Sequence, residues 1–209
     1  MIVELVLATR NRHKGEELTA LLGDVGIRIR TLADFPEAPE VEEDGLTCEA
    51  NAIKKATEIS RATGLPAVAD DTGLEVDALG GRPGVYAARY AGEDATYDDN
   101  CHKLIQELSG VPRERRTARF MTVAAIAVPG EPVQVAHGVL EGYITESPVG
   151  AGGFGYDPVF FVPALNATLA EIPAEQKNRI SHRAKAFLQA KELLCARQSE
   201  TSSGRSAAR

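Results

Sequence analysis

Apolar positions recur along this chain in two periods, and the alternation between them predicts an α/β fold. A continuous apolar run over 2–8 (IVELVLA) predicts a buried first strand. The polar loop from Thr9 to Lys14 (TRNRHK) leads from its carboxyl end into a helix, HKGEELTALLGD, closed near Gly23. A second strand is expected over 27–32, followed by an acidic loop from Glu37 to Gly45. From Thr47 to Thr63 the period is helical, with Ala50, Ile53, Ala56 and Ile59 on one face and Gly64 placed to end it.

Small and β-branched residues from Ala67 then deliver two adjacent carboxylates, Asp70 and Asp71, where a buried strand is expected to end. A short alternating strand, Leu74 to Leu79, precedes a loop shaped by Gly80, Gly81, Pro83 and Gly84 and carrying Tyr86, Arg89 and Tyr90. Thr96 and Asp99 have the spacing of a capping box for a helix to Leu108, and Arg113 to Arg116 is a basic cluster expected to face solvent. Long strands over 117–128 and 133–145 are joined by the turn PGEP. A loop with Gly150, Gly152, Gly153 and Gly155 carries Phe154 and Tyr156, and Pro173 opens a last helix expected over Ala174 to Cys195. Beyond Ala196 the apolar period is lost, so 197–209 is expected to be a disordered tail.

Three of these stretches invite chemistry. Side-by-side buried carboxylates repel and are costly to desolvate, so Asp70 and Asp71 imply a partner charge, most simply a divalent metal such as Mg²⁺. One of Glu40, Glu42 or Glu43 could complete an oxygen-ligand site if the acidic loop folds toward Asp71. Strand, polar loop and helix start form an anion-binding geometry, to which Lys14 adds a full charge. Thr9 and Asn11 there either donate to phosphate oxygens or cap the helix. A ring flanked by glycines, as Phe154 is, suits stacking on a flat base.

The totals narrow the function. A formal charge of -7 over 209 residues argues against a protein that coats nucleic acid or an anionic membrane. No apolar run approaches the roughly 20 residues of a membrane span. Cys48, Cys101 and Cys195 are far apart and lack metal-ligand spacing, which suits a reducing compartment; with no leader-like start, a cytoplasmic location is expected.

In order, the blocks TRNRHK, EEDGLTCEANAIKKA, ADDTGLEVDALGGRPGVYAARYAG, GGFGYDPVF and KNRISHRAKA closely resemble the Ham1-like inosine triphosphate pyrophosphatase family, whose members hydrolyse non-canonical purine nucleoside triphosphates. The resemblance covers 1–196 as one domain. It implies an elongated, two-lobed α/β fold with a long central mixed sheet flanked by helices and an active site in the cleft between the lobes. It implies phosphates gripped by Thr9, Asn11 and Lys14, with Arg10, Arg12, His13 and Thr72 also among the substrate-binding residues, and Mg²⁺ on Glu42 and Asp71. Asp71 would also orient or deprotonate the attacking water. Phe154, Gly155, Tyr156 and Asp157 would line the base pocket, and Lys177, His182 and Arg183 would face the base edge. A homodimer that binds a small purine nucleotide, with no nucleic acid or membrane partner, is expected. The chain departs from the common family pattern at Arg12, His13, Cys48, Thr72 and Ala87; Thr72 keeps the hydroxyl of the usual serine.

Overall fold

The computed structural model describes residues 2–23 and 26–206, with 198–206 described by backbone alone. Its strands are β1 Glu4–Leu7, β2 Arg28–Thr31, β3 Ala67–Val76, β4 Pro83–Gly84, β5 Thr117–Ala127, β6 Gln134–Ile144, β7 Phe160–Val162 and β8 Ala167–Thr168. Its helices are α1 Arg12–Leu22, α2 Cys48–Thr63, α3 Tyr97–Glu107, α4 Ala174–Ile180 and α5 His182–Ser206. The strands form one mixed sheet in the order β2-β1-β3-β5-β6-β7-β8, with β4 paired to β3. β1 runs parallel to both β2 and β3, whereas β3–β4, β6–β7 and β7–β8 are antiparallel. This is the expected α/β class with a mixed sheet and flanking helices.

Local chemistry sets the helix ends. Asn11, Thr47 and Thr96 each accept a backbone N–H of the first turn of α1, α2 and α3, and Thr96 with Asp99 completes the capping box. Gly64 closes α2 in the left-handed conformation, at φ 68°, which suits a residue without Cβ.

The chain divides into two compact units. The first comprises Met1–Asp71, Val123–Gly138 and Arg183–Arg209. In its core Leu18 and Leu22 of α1 and Ala186, Phe187, Ala190 and Leu194 of α5 pack with Leu5, Leu7 and Val68 of the strands. The second comprises Thr72–Thr122 and Val139–His182. Its core gathers Leu104 and Leu108 at the end of α3 with Leu74, Phe120, Ile144, Tyr156 and Phe160.

Four features differ from the sequence pattern. β3 is a single strand through both carboxylates rather than two strands with a break after Asp71, because its partner β4 continues the ladder at Leu74 and Glu75. The last helix is interrupted at Ser181, whose extended ψ of 158° ends α4 and leaves α5 to start at His182. An interior serine competes for backbone hydrogen bonds and favours a helix boundary over a helix middle. α5 then runs on to Ser206, through much of the stretch expected to be disordered; extending a formed helix is far cheaper than starting one. Residues 207–209 lie outside the described residues.

The fourth difference is Arg116, read as solvent-facing but buried. Its guanidinium donates to the carbonyls of Val111, Thr145 and Leu108 at 2.9, 3.0 and 3.0 Å. Only Arg offers enough N–H groups in one plane to satisfy carbonyls arriving from several directions. Arg116→Met keeps the apolar stem but leaves those carbonyls unpaired. It is expected to destabilise the protein by about 3 kcal/mol in urea unfolding; unchanged stability would mean that water replaces the guanidinium at no cost.

Candidate active site

In the first unit, β1 ends at Leu7 opposite Val68, so Asp70 and Asp71 lie just past the carboxyl end of their parallel neighbour. That edge of a parallel pair is where α/β sheets present ligand-binding groups. Successive side chains of a strand point to opposite faces, so the two carboxylates separate. Asp70 shares its face with Val68 and meets helices α1 and α5. Its Oδ2 lies 3.3 Å from Lys14 Nζ and accepts from Arg183 Nε at 3.2 Å, while Arg183 Nη1 donates to Glu17 at 2.7 Å. Asp71 meets α2 instead. It accepts from Asn51 Nδ2 at 3.2 Å and from Lys55 Nζ at 3.5 Å, and Lys55 also donates to Glu43 at 2.6 Å.

Two loops are fastened to this arrangement. The N–H of Gly45 donates to Asn51 Oδ1 at 2.8 Å, so one amide joins the acidic loop to Asp71; a Cβ at Gly45 would stand 2.6 Å from that oxygen. Arg10 donates to Ala38 O at 2.8 Å and holds the same loop from the other side. Thr9 accepts from the Asn11 N–H at 3.2 Å, and Asn11 accepts from the Lys14 N–H at 3.2 Å; both hydroxyl and amide are thus organising the helix start. Arg12 pairs with Glu16 at the surface.

The environments push the two carboxyls apart. Burial works to raise Asp70, but the Lys14 ammonium and the Arg183 guanidinium outweigh it and hold the group far below the usual carboxylate range. Asp71 is raised, chiefly by burial, which outweighs Lys55 and Lys14, and Glu43 adds to the rise. Two neighbouring carboxyls whose environments push their proton affinities in opposite directions are the pattern of divided roles.

The second unit carries the aromatic loop. Asp157 is buried, and its Oδ2 accepts from the Phe154 N–H at 2.9 Å and from Lys177 Nζ at 2.6 Å. A Cβ at Gly153 would lie 2.0 Å from the same oxygen, so only glycine fits there. Lys177 Nζ stands 4.7 Å from the centroid of the Phe154 ring. His182 stacks on Phe120 at 4.4 Å, Tyr156 donates from its hydroxyl to Ala87 O, and Thr72 shares a 2.7 Å hydrogen bond with Thr122.

The Ham1 family model matches residues 5–193. The chain belongs to the Ham1 family. A dITP/XTP pyrophosphatase of Geobacillus kaustophilus is 53% identical over 184 residues, 88% of this chain and 90% of the relative. One of Geobacter sulfurreducens is 51% identical over 193 residues, 92% of this chain and 97% of the relative. Among solved structures, a HAM1 protein from Coxiella burnetii superposes with a TM-score of 0.84 at 41% identity, covering 93% of this chain and 98% of that one.

Within this Ham1 chain the sequence-derived candidates fall into two groups. Thr9, Arg10, Asn11, Arg12, His13, Lys14, Glu42, Asp71 and Arg183 belong to the first unit; Thr72, Phe154 to Asp157, Lys177 and His182 belong to the second. Lys177 lies in the last turn of α4 rather than at a helix start, so it is favourably placed for the dipole. Arg183 does stand at a helix start, and Asp70 and Glu17 supply the anions that its position demands. Lys55 was missed. The apolar positions predict an α2 face through Ala50 and Ile53, but Ala50 is exposed and the buried face runs through Asn51, Ala52 and Lys55, with Asn51 and Lys55 against Asp71, while Lys54 pairs with Asp44 at the surface. A lysine one turn beyond a buried asparagine was the available signal. Of the acidic-loop residues, Glu42 is exposed, and it is Glu43 that Lys55 links to Asp71.

Among the described residues no group of three or more His, Cys, Asp or Glu side chains is assembled for a metal. The donor chemistry nevertheless suits a hard divalent ion that keeps most of its water. Asp71 and Glu43 flank the Lys55 ammonium, so a cation already stands between two oxygen donors.

These opposed shifts have opposite consequences for stability. Asp70 is depressed on folding, so its ionised form contributes stability that is full above the unfolded value and lost as pH falls through the folded one. Asp71 is raised, so its contribution is present when protonated and lost as pH rises past the unfolded value toward the folded one. At neutral pH in chelator, Asp70→Asn is expected to cost about 3 to 5 kcal/mol by removing the partner of Lys14 and one of the two carboxylates on the buried Arg183. Asp71→Asn is expected to be no less stable than wild type. Urea unfolding of both variants checks this, and the reverse order would refute the assignment.

Proposed function

We propose that this protein hydrolyses non-canonical purine nucleoside triphosphates, such as ITP, dITP and XTP, to the monophosphate and pyrophosphate. The observation that carries the reading is the Asp70–Asp71 pair, one carboxylate locked between Lys14 and Arg183 and the other held by Asn51 and Lys55 with its proton affinity raised. The names of the close relatives supply the substrate class. A non-catalytic nucleotide-binding module would tolerate a missing or displaced carboxylate, whereas both are present and fully engaged.

Asp71 is the base that orients water for attack at the α-phosphorus, and its raised proton affinity suits it to accept a proton. Lys14 and the positive end of the α1 dipole neutralise charge on the phosphates and the departing pyrophosphate. Asp70 pairs with Lys14 at 3.3 Å and fixes the position of its ammonium. A divalent ion, Mg²⁺ in this proposal, would be held by Asp71 with an acidic-loop carboxylate, Glu43 or Glu42, and supplies phosphate charge neutralisation and a more acidic water. Phe154 takes the purine face. Lys177, His182 and Arg183 provide donors for the 6-oxo group of hypoxanthine or xanthine, which the amino group of adenine would leave unpaired. A homodimer in the cytoplasm completes the proposal and rests on the family resemblance; among the described residues no helix is long and apolar enough to cross a membrane.

The test is pyrophosphate release from ITP, XTP, ATP and GTP, with magnesium and with chelator. Metal-dependent release that favours ITP and XTP is expected, and no release from any purine triphosphate would overturn the proposal. Lys14→Ala is expected to raise the KM for ITP by about ten- to a hundredfold, the worth of a charge-assisted hydrogen bond, while leaving binding of the monophosphate product much less affected. Equal losses for both ligands would remove Lys14 from the β- and γ-phosphates.

A further inference from the structure

Helix α3 belongs to none of the blocks that carry the family resemblance, yet it faces the aromatic loop at two successive turns. Cys101 donates its thiol to Gly155 O at 3.4 Å, and one turn earlier the Tyr97 ring lies 6.0 Å from the Phe154 ring, tilted by 43°. The start of the helix is fixed as well. Thr96 and Asp99 exchange both capping-box hydrogen bonds, which places Tyr97 as the first helical residue. Asn100, on the same helix, is buried and bonds the backbone at Ala88 and Ala91, so α3 cannot shift without breaking that loop.

Tyr97 is thus a ring in a defined position that nevertheless remains 41% exposed. Its neighbour Phe154 is held more firmly, by its own N–H on Asp157 and by the Lys177 ammonium near its ring. Single exposed rings are ordinary on protein surfaces. This one is tilted against a second, anchored ring that stands beside a buried ammonium. The two rings form an aromatic corner with a donor at its side, which suits a flat, oxo-bearing heterocycle.

We propose that Tyr97 is a base-binding residue, covering the purine that Phe154 stacks on and contributing to affinity for the base rather than to the reaction at phosphorus. This rests on the proposed purine triphosphate hydrolysis. Covering the base adds attraction equally in the ground and transition states, so its loss appears in KM and not in kcat.

The experiment compares wild type, Tyr97→Ala and Tyr97→Phe for pyrophosphate release from ITP, with inorganic tripolyphosphate as a competing ligand that has no base. Tyr97→Ala is expected to raise KM about five- to thirtyfold with kcat near wild type, as for loss of a base-stacking ring. Inhibition by tripolyphosphate should be unchanged, and Tyr97→Phe should restore wild-type KM. An unaltered KM in Tyr97→Ala, with wild type active, would overturn the assignment and leave the hydrolase reading intact. Weakening of ITP and tripolyphosphate in parallel, or a fall in kcat alone, would also overturn it, since the effect would then lie outside the base. Absence of turnover in wild type would instead remove the reading on which it rests.

Discussion

The organising constraint is that two neighbouring residues of a strand point to opposite faces of the sheet. Asp70 and Asp71 would otherwise be a pair of buried like charges, a costly arrangement. The pleat sends Asp70 toward Lys14 and Arg183 and Asp71 toward Asn51 and Lys55, so each has its own direct partners, while Lys14 and Lys55 also act on the other carboxylate at longer range. Much of the first unit serves this division. α1 and α5 pack on the face of Val68 and Asp70, α2 covers the other, and Gly45 and Arg10 draw the acidic loop toward Asp71.

Compensation by the protein's own cations also modifies the case for a metal. The sequence argument required a positive partner for the carboxylates, and the chain provides three: Lys14, Lys55 and Arg183. Asp70 meets two of them at its Oδ2. Asp71 is held more loosely, at 3.5 Å from an ammonium that it shares with Glu43. A divalent ion is therefore asked of one carboxylate and not of both, so Asp71 takes the proposed roles of ligand and base and Asp70 is left to pair with Lys14.

Much of the fold was legible because its signals are local. Caps at Asn11, Thr47 and Thr96 and the left-handed Gly64 mark helix ends within one turn, and the period-two and period-3.6 patterns separate strands from helices. What escaped depends on partners distant in sequence. β3 continues through two aspartates because β4 pairs beyond them, Arg116 is buried because carbonyls from Leu108, Val111 and Thr145 converge on it, and Lys55 faces inward because Asp71 lies there. Polar residues on a buried helix face break the apolar period that sequence reading relies on. Motif blocks named Lys14, Asp71, Phe154 and Lys177 as candidates, whereas Tyr97 and Glu17 stand outside those blocks' chemistry and come to notice only through Phe154 and Arg183.

Titration of the aspartate carboxyls in the metal-free protein, by carbon-13 NMR with the two signals assigned from Asp70→Asn and Asp71→Asn, tests this division most directly. The account predicts that Asp71 titrates above the ordinary aspartate value of about 3.9 and Asp70 well below it. Two carboxyls titrating together near that value, or Asp70 titrating above Asp71, would contradict it.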